Sequence, residues 1–128
     1  MERDLLLFVV DDDSFITSLV ERHLLAEGYR VKSFSMGEEC LEAIGERPDV
    51  VILDYYFDTG SDSAMNGMEV LERIKEIDPS ITVVMLSGQE RGEVVLELAR
   101  KGIEDYVVKD NNLLDNLTRA INEIAERR

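Results

Sequence analysis

The chain has one cysteine, Cys40, so no internal disulfide can staple it, and a small buried thiol is the reading that fits. It has no tryptophan, two prolines and one histidine. His23 lies on the apolar stripe of a helical stretch, which suits a half-buried core side chain better than a catalytic base. No apolar run approaches the ~20 residues that a membrane helix needs. Bases are scarce: 14 Lys and Arg stand against 28 Asp and Glu, a formal charge of -14. Such a field repels phosphate backbones and anionic lipid, so neither direct nucleic-acid binding nor membrane attachment is expected. A secretory leader is not expected either, because the apolar run near the start is short, flanked by acids, and reads as a strand. The expectation left by these absences is a cytoplasmic protein of one domain, residues 1–128, large enough to bury a core unaided.

What is present is alternation. Apolar runs recur as LLLFVV at 5–10, YRVKSF at 29–34, DVVILD at 49–54, ITVVML at 81–86 and DYVV at 105–108. Three of them are continuous and rich in Val, Ile and Leu, the pattern of parallel strands covered on both faces. Helical periods lie between. Residues 14–27 place Ile16, Leu19, Val20, His23 and Leu24 on one stripe, with Gly28 as the stop. Residues 37–45 offer Cys40, Leu41 and Ile44; residues 67–77 offer Val70, Leu71, Ile74 and Ile77 before Pro79 breaks the run. Val94, Val95, Leu98 and Ala99 mark a fourth helix ending near Gly102, and Leu113, Leu114, Leu117, Ile121 and Ile124 mark a fifth. Five βα units with short connections predict an α/β fold, a doubly wound five-stranded parallel sheet with five helices on its two faces. Such sheets bind ligands beyond the carboxyl ends of their strands.

Those ends carry chemistry. Asp11, Asp12 and Asp13 follow the first strand, Asp54 ends the third, Ser87 follows the fourth and Lys109 the fifth. Crowded carboxylates call for a cation, and hard oxygen ligands with room for water suit Mg²⁺. A carboxylate nucleophile, a metal and a Lys with a hydroxyl are the parts that phosphoryl transfer uses, since its catalysis is mostly positioning and charge stabilisation. Each residue also has a purely structural explanation. An Asp at a strand end caps the next helix, a Ser satisfies a turn, and a Lys pairs with acids. Asp13 in particular reads as either a third acid of the site or the cap of the first helix. Tyr55 and Tyr56 either shield the acceptor or pack on the loop.

In combination, the run FVVDDDSFITSLVERHLLAEGY with DVVILD, VVMLSGQ and DYVVKD resembles response-regulator receiver domains of two-component systems over nearly the whole chain, single-domain chemotaxis regulators included. The resemblance implies the flavodoxin-like strand order 2-1-3-4-5. It implies that a sensor histidine kinase or phosphotransfer protein phosphorylates Asp54, and that Asp12, Asp54 and the backbone carbonyl of Tyr56 hold Mg²⁺, with Asp11 helping through water. It also implies that Ser87 and Lys109 bind the phosphoryl oxygens and that Tyr106 turns inward as Ser87 moves, as a switch. The output would be contact with a downstream protein through the fourth helix, fifth strand and fifth helix, so the chain is expected to signal rather than to act as an enzyme.

Two features depart from that family's pattern. Gly67 stands farther from the acceptor than usual and no Pro lies between, so FDTGSDSAM holds about five extra residues in a loop expected to be mobile, 57–65. The usual Lys-Pro is Lys109-Asp110, followed by Asn111 where an aromatic is usual; a trans bond is expected there, because a cis bond without proline costs roughly 2.5–4 kcal/mol. Asn112 is then expected to cap the fifth helix, with Asp115 at its third position. Other readings are a phosphatase with an aspartyl intermediate, which would carry its acceptor after the first strand, and a receiver cut from a longer regulator or hybrid kinase. A flavodoxin-type carrier is disfavoured, since three aspartates stand where its phosphate loop would be.

Overall fold

The structure, a computed structural model, describes residues 4–55, 66–88 and 92–127. Five strands, β1 (Leu6–Val10), β2 (Arg30–Phe34), β3 (Val50–Asp54), β4 (Thr82–Ser87) and β5 (Asp105–Val108), alternate with α1 (Ser14–Ala26), α2 (Gly37–Glu42), α3 (Gly67–Ile77), α4 (Gly92–Arg100) and α5 (Leu113–Glu126). All strand pairs are parallel, in the order β2-β1-β3-β4-β5. The continuously apolar runs are the central strands and the mixed ones are the edges, as burial on both faces requires.

Side chains alternate across the sheet. Leu7, Val9, Ile52, Val84 and Leu86 pack with Val20 and Leu24 of α1 and Leu117, Ile121 and Ile124 of α5. Their neighbours Phe8, Val10, Val51, Leu53 and Met85 pack on the opposite face with Val70, Leu71 and Ile74 of α3, Cys40 of α2 and Leu98 of α4. This parity places Asp11, Asp54 and Lys109 in step with Val9, Ile52 and Val107, and so at one side of the sheet's carboxyl edge.

Local chemistry sets the helix ends. Asp13 caps α1 by accepting from the backbone N–H groups of Phe15 and Ile16, which settles its role in favour of the cap. Gly28 follows with φ at 95°, the left-handed turn that stops the helix. Asn66 and Glu69 form a reciprocal capping box on α3. Three expectations fail. The second helix ends at Glu42 and passes into a 3-10 turn, Ile44–Glu46, before Arg47 turns left-handed. Leu19 and Ile77 are 38% and 48% exposed, and Ala99 is exposed, so carrying the helical period did not bury them. Asn112 does not cap α5 with its side chain. Instead its own N–H donates to Asp110 Oδ1 at 2.8 Å, because an Asp two residues earlier forms the turn first.

The start of α3 presses on the end of β3. A Cβ at Gly67 would meet the Asp54 carbonyl oxygen at 2.6 Å and the Tyr55 Cα at 2.7 Å, and the Gly67 N–H donates to the Tyr55 carbonyl at 3.3 Å. Backbone cannot move aside as a flexible side chain can. Gly67→Ala is therefore expected to destabilise the fold by about 1–3 kcal/mol through overpacking, read from the urea unfolding midpoint.

Candidate functional site

Three carboxylates and one ammonium meet at the sheet's carboxyl edge. Asp11 and Asp54 are buried, and Asp12 is exposed. Oxygens of the three lie within 4.8 Å of one another. The Lys109 ammonium, 24% exposed, sits 2.8 Å from Asp11 Oδ2 and 3.0 Å from Asp54 Oδ1. Its backbone is held as firmly: the Lys109 N–H donates to the Ser87 carbonyl at 2.8 Å, extending the β4–β5 ladder by one rung. No cis peptide occurs among the described residues, so Lys109-Asp110 is trans as expected, and Lys109 still reaches the acids.

Asp11 is fixed from several directions. Its N–H donates to the Phe34 carbonyl at 3.1 Å, and its Oδ1 accepts from the Asp13 N–H at 2.9 Å. Its Oδ2 is buried and meets the Lys109 ammonium at 2.8 Å. A buried carboxylate with two more carboxylates beside it and a single compensating positive charge fits a small hard cation. Asp11, Asp12 and Asp54 are the residues that would hold Mg²⁺.

Burial pushes the Lys109 pKa down, but the contacts with Asp11 and Asp54 and their charges push it up further, and the net displacement is upward. Cys40 shows burial alone, its thiol pushed up to about 12. That thiol lies in the core on the opposite face of the sheet.

Ser87 is buried at the end of β4. Tyr106, half-buried, packs against the core on the α2–α3–α4 side, and its strand partner is Met85, two residues before Ser87 on the same face. The two expected switch residues thus share a face on adjacent strands, two positions apart in register. His23 is half-buried on α1, as expected, and the rim it shares with Phe15, Ser18, Leu19, Arg22 and Leu114 lies apart from the acids. The Tyr56 carbonyl and the loop 57–65 fall outside the described residues. One feature escaped the sequence reading: Phe15 is 71% exposed and, with Leu19 and Leu114, lines a groove that runs to Lys109 and Asp110. Its only trace in the sequence is an aromatic on the polar side of the α1 stripe.

The chain matches the family described as response regulator receiver domain over residues 7–122. It is 32% identical over 124 residues to the transcriptional regulatory protein AfsQ1 of Streptomyces coelicolor, covering 94% of this chain and 52% of that one. It is also 32% identical over 113 residues to the nitrogen assimilation regulatory protein NtrX of Azorhizobium caulinodans, covering 88% and 24%. The crystal structure of the receiver domain of NtrX from Brucella abortus superposes with a TM-score of 0.84 at 31% identity, covering 95% of this chain and 99% of that one. The chain thus spans about half or less of the curated relatives' length. Among the described residues no helix is long and apolar enough to cross a membrane.

A raised Lys109 pKa fixes the sign of a pH dependence. The stabilisation from its charge is whole below the ordinary value of 10.5 and fades as pH rises through the higher folded value. In EDTA, the stability gap between the unaltered protein and Lys109→Met should hold steady from neutral pH upward and narrow only above 10.5, as followed by urea unfolding.

Proposed function

The chain belongs to the response regulator receiver domain family, and from that premise we propose that Asp54 accepts a phosphoryl group from the phosphohistidine of a sensor histidine kinase or phosphotransfer protein. The observation that carries the reading is the convergence of Asp54, Asp11, Asp12 and Lys109 on one point of the sheet edge. An Asp54 carboxylate oxygen forms the new P–O bond while the donor's P–N bond breaks and its electron pair returns to the imidazole. Mg²⁺, when bound, supplies charge stabilisation for the phosphoryl oxygens. Lys109 exchanges its ionic contact with Asp54 for a phosphoryl oxygen. Ser87 offers a hydroxyl to another, and burial of Asp54 and Asp11 keeps water away from the acyl phosphate.

Output follows from the same rearrangement. Movement of Ser87 opens space beside Met85 for the Tyr106 ring, altering the face of α4, β5 and α5 that a downstream protein would contact. Leu96 lies exposed on α4. The donor meets a different surface: the groove of Phe15, Leu19 and Leu114 abuts Lys109 and offers apolar anchorage next to the acceptor.

Acetyl phosphate with Mg²⁺ should add one phosphoryl group, seen by intact mass, and Asp54→Asn should abolish the addition; undiminished labelling of that variant would remove the proposal. Phe15→Ser is expected to slow transfer from a phosphorylated histidine kinase while leaving acetyl phosphate labelling unchanged, because the small donor needs no docking surface.

A further inference from the structure

We propose that Thr17 is a positioning residue for the acid pocket, its hydroxyl locking the turn that carries Asp11 and Asp12 and thereby setting the affinity for Mg²⁺. The inference rests on the reading of that pocket given above.

Thr17 is the fourth residue of α1. Its backbone N–H donates to the Asp13 carbonyl at 3.0 Å in the ordinary helical way. A threonine hydroxyl in this position commonly bonds back to the same carbonyl, and Thr17 Oγ1 does so at 3.0 Å. It lies equally close, 3.0 Å, to the carbonyl of Asp11, six residues back and outside the helix. One hydroxyl proton is shared between the last carbonyl of the strand end and the carbonyl of the helix cap. The residue spanned by that bridge is Asp12.

Asp12 is exposed, and its place beside Asp11 is set by the backbone of the turn. Asp11 is held through its N–H by Phe34, through Oδ1 by Asp13 and through its carbonyl by Thr17. Without the hydroxyl, the Asp11 carbonyl, in the peptide that leads into Asp12, loses its tie to α1, while the Asp13 carbonyl keeps the Thr17 N–H. The turn that carries Asp12 then has one restraint fewer, and pre-organisation of this kind separates a strong site from a weak one. Partners of metal ligands typically change affinity by about 10–100-fold, and Thr17 acts through backbone, so the low end is expected.

The test compares the unaltered chain with Thr17→Val, which keeps the branched shape, and Thr17→Ser, which keeps the hydroxyl. Mg²⁺ affinity is read by titration calorimetry, and acetyl phosphate labelling is followed across Mg²⁺ concentrations. Thr17→Val should weaken Mg²⁺ about 10-fold and shift the half-saturating concentration for labelling by the same factor, with the rate at saturating Mg²⁺ unchanged; Thr17→Ser should behave as the unaltered protein. Should the Val variant fail to fold, Thr17→Ala is read in its place. A folded variant lacking the hydroxyl that binds Mg²⁺ at unaltered affinity overturns the proposal, as does a Ser variant as weak as Val. An unaltered protein that binds no Mg²⁺ overturns the reading of the pocket itself, and this inference with it.

Discussion

Two carboxylates are buried at the end of a sheet whose strands exclude water, and one ammonium holds them there. The rest of the molecule is arranged around that tension. Burying like charges side by side is unfavourable unless a cation meets them. The five-strand order supplies the cation by placing β5, and with it Lys109, at a carboxyl edge shared with β1 and β3. Lys109 offsets one of three negative charges, and the residual excess makes the pocket receptive to a second cation. Charge crowding thus links Asp11, Asp12, Asp54 and Lys109 into one unit, in which altering any member changes the others.

Geometry follows from the alternation of strand side chains. Because Asp11, Asp54 and Lys109 are in phase with Val9, Ile52 and Val107, they share a side, while Ser87 is in phase with Met85 and shares the other with Tyr106. Charge neutralisation and the aromatic neighbour therefore sit on different faces of the sheet, joined through the ladder hydrogen bond from Lys109 N–H to the Ser87 carbonyl.

Much of this was legible in the residues. The apolar runs named the three central strands because burial on both faces leaves no polar position to confuse them, the two edge strands showed as mixed runs, and strand-end acids pointed to the pocket because ligands of such sheets bind there. The family resemblance supplied the strand order and the roles; the residues alone left the strand-end acids open to structural explanations. What was not legible lay at margins and turns. Leu19, Ile77 and Ala99 carry the correct period yet are exposed, since periodicity marks a face and cannot tell how far its neighbours extend. Asn112 looked like a cap by residue type, but Asp110 competes for the same turn. Phe15 has no partner in sequence to explain it. The Thr17 bridge spans six positions, a separation outside every helical rule, and only folding reveals it.

The contact between Gly67 and the Tyr55 carbonyl has a consequence for how this domain could diversify. Chain leaves the sheet at one fixed point and returns to α3 at another, held by a backbone hydrogen bond and by a helix start with no room to shift. The entropy of closing a loop grows only slowly with its length, about 0.6 kcal/mol per doubling. The junction therefore behaves as a docking port in the covalent sense: peptide of varied length and chemistry can be spliced between the two clamped ends, a residue away from Asp54, without disturbing the strand that presents it. The surface beside the acids could be rewritten there while the pocket itself stays constant.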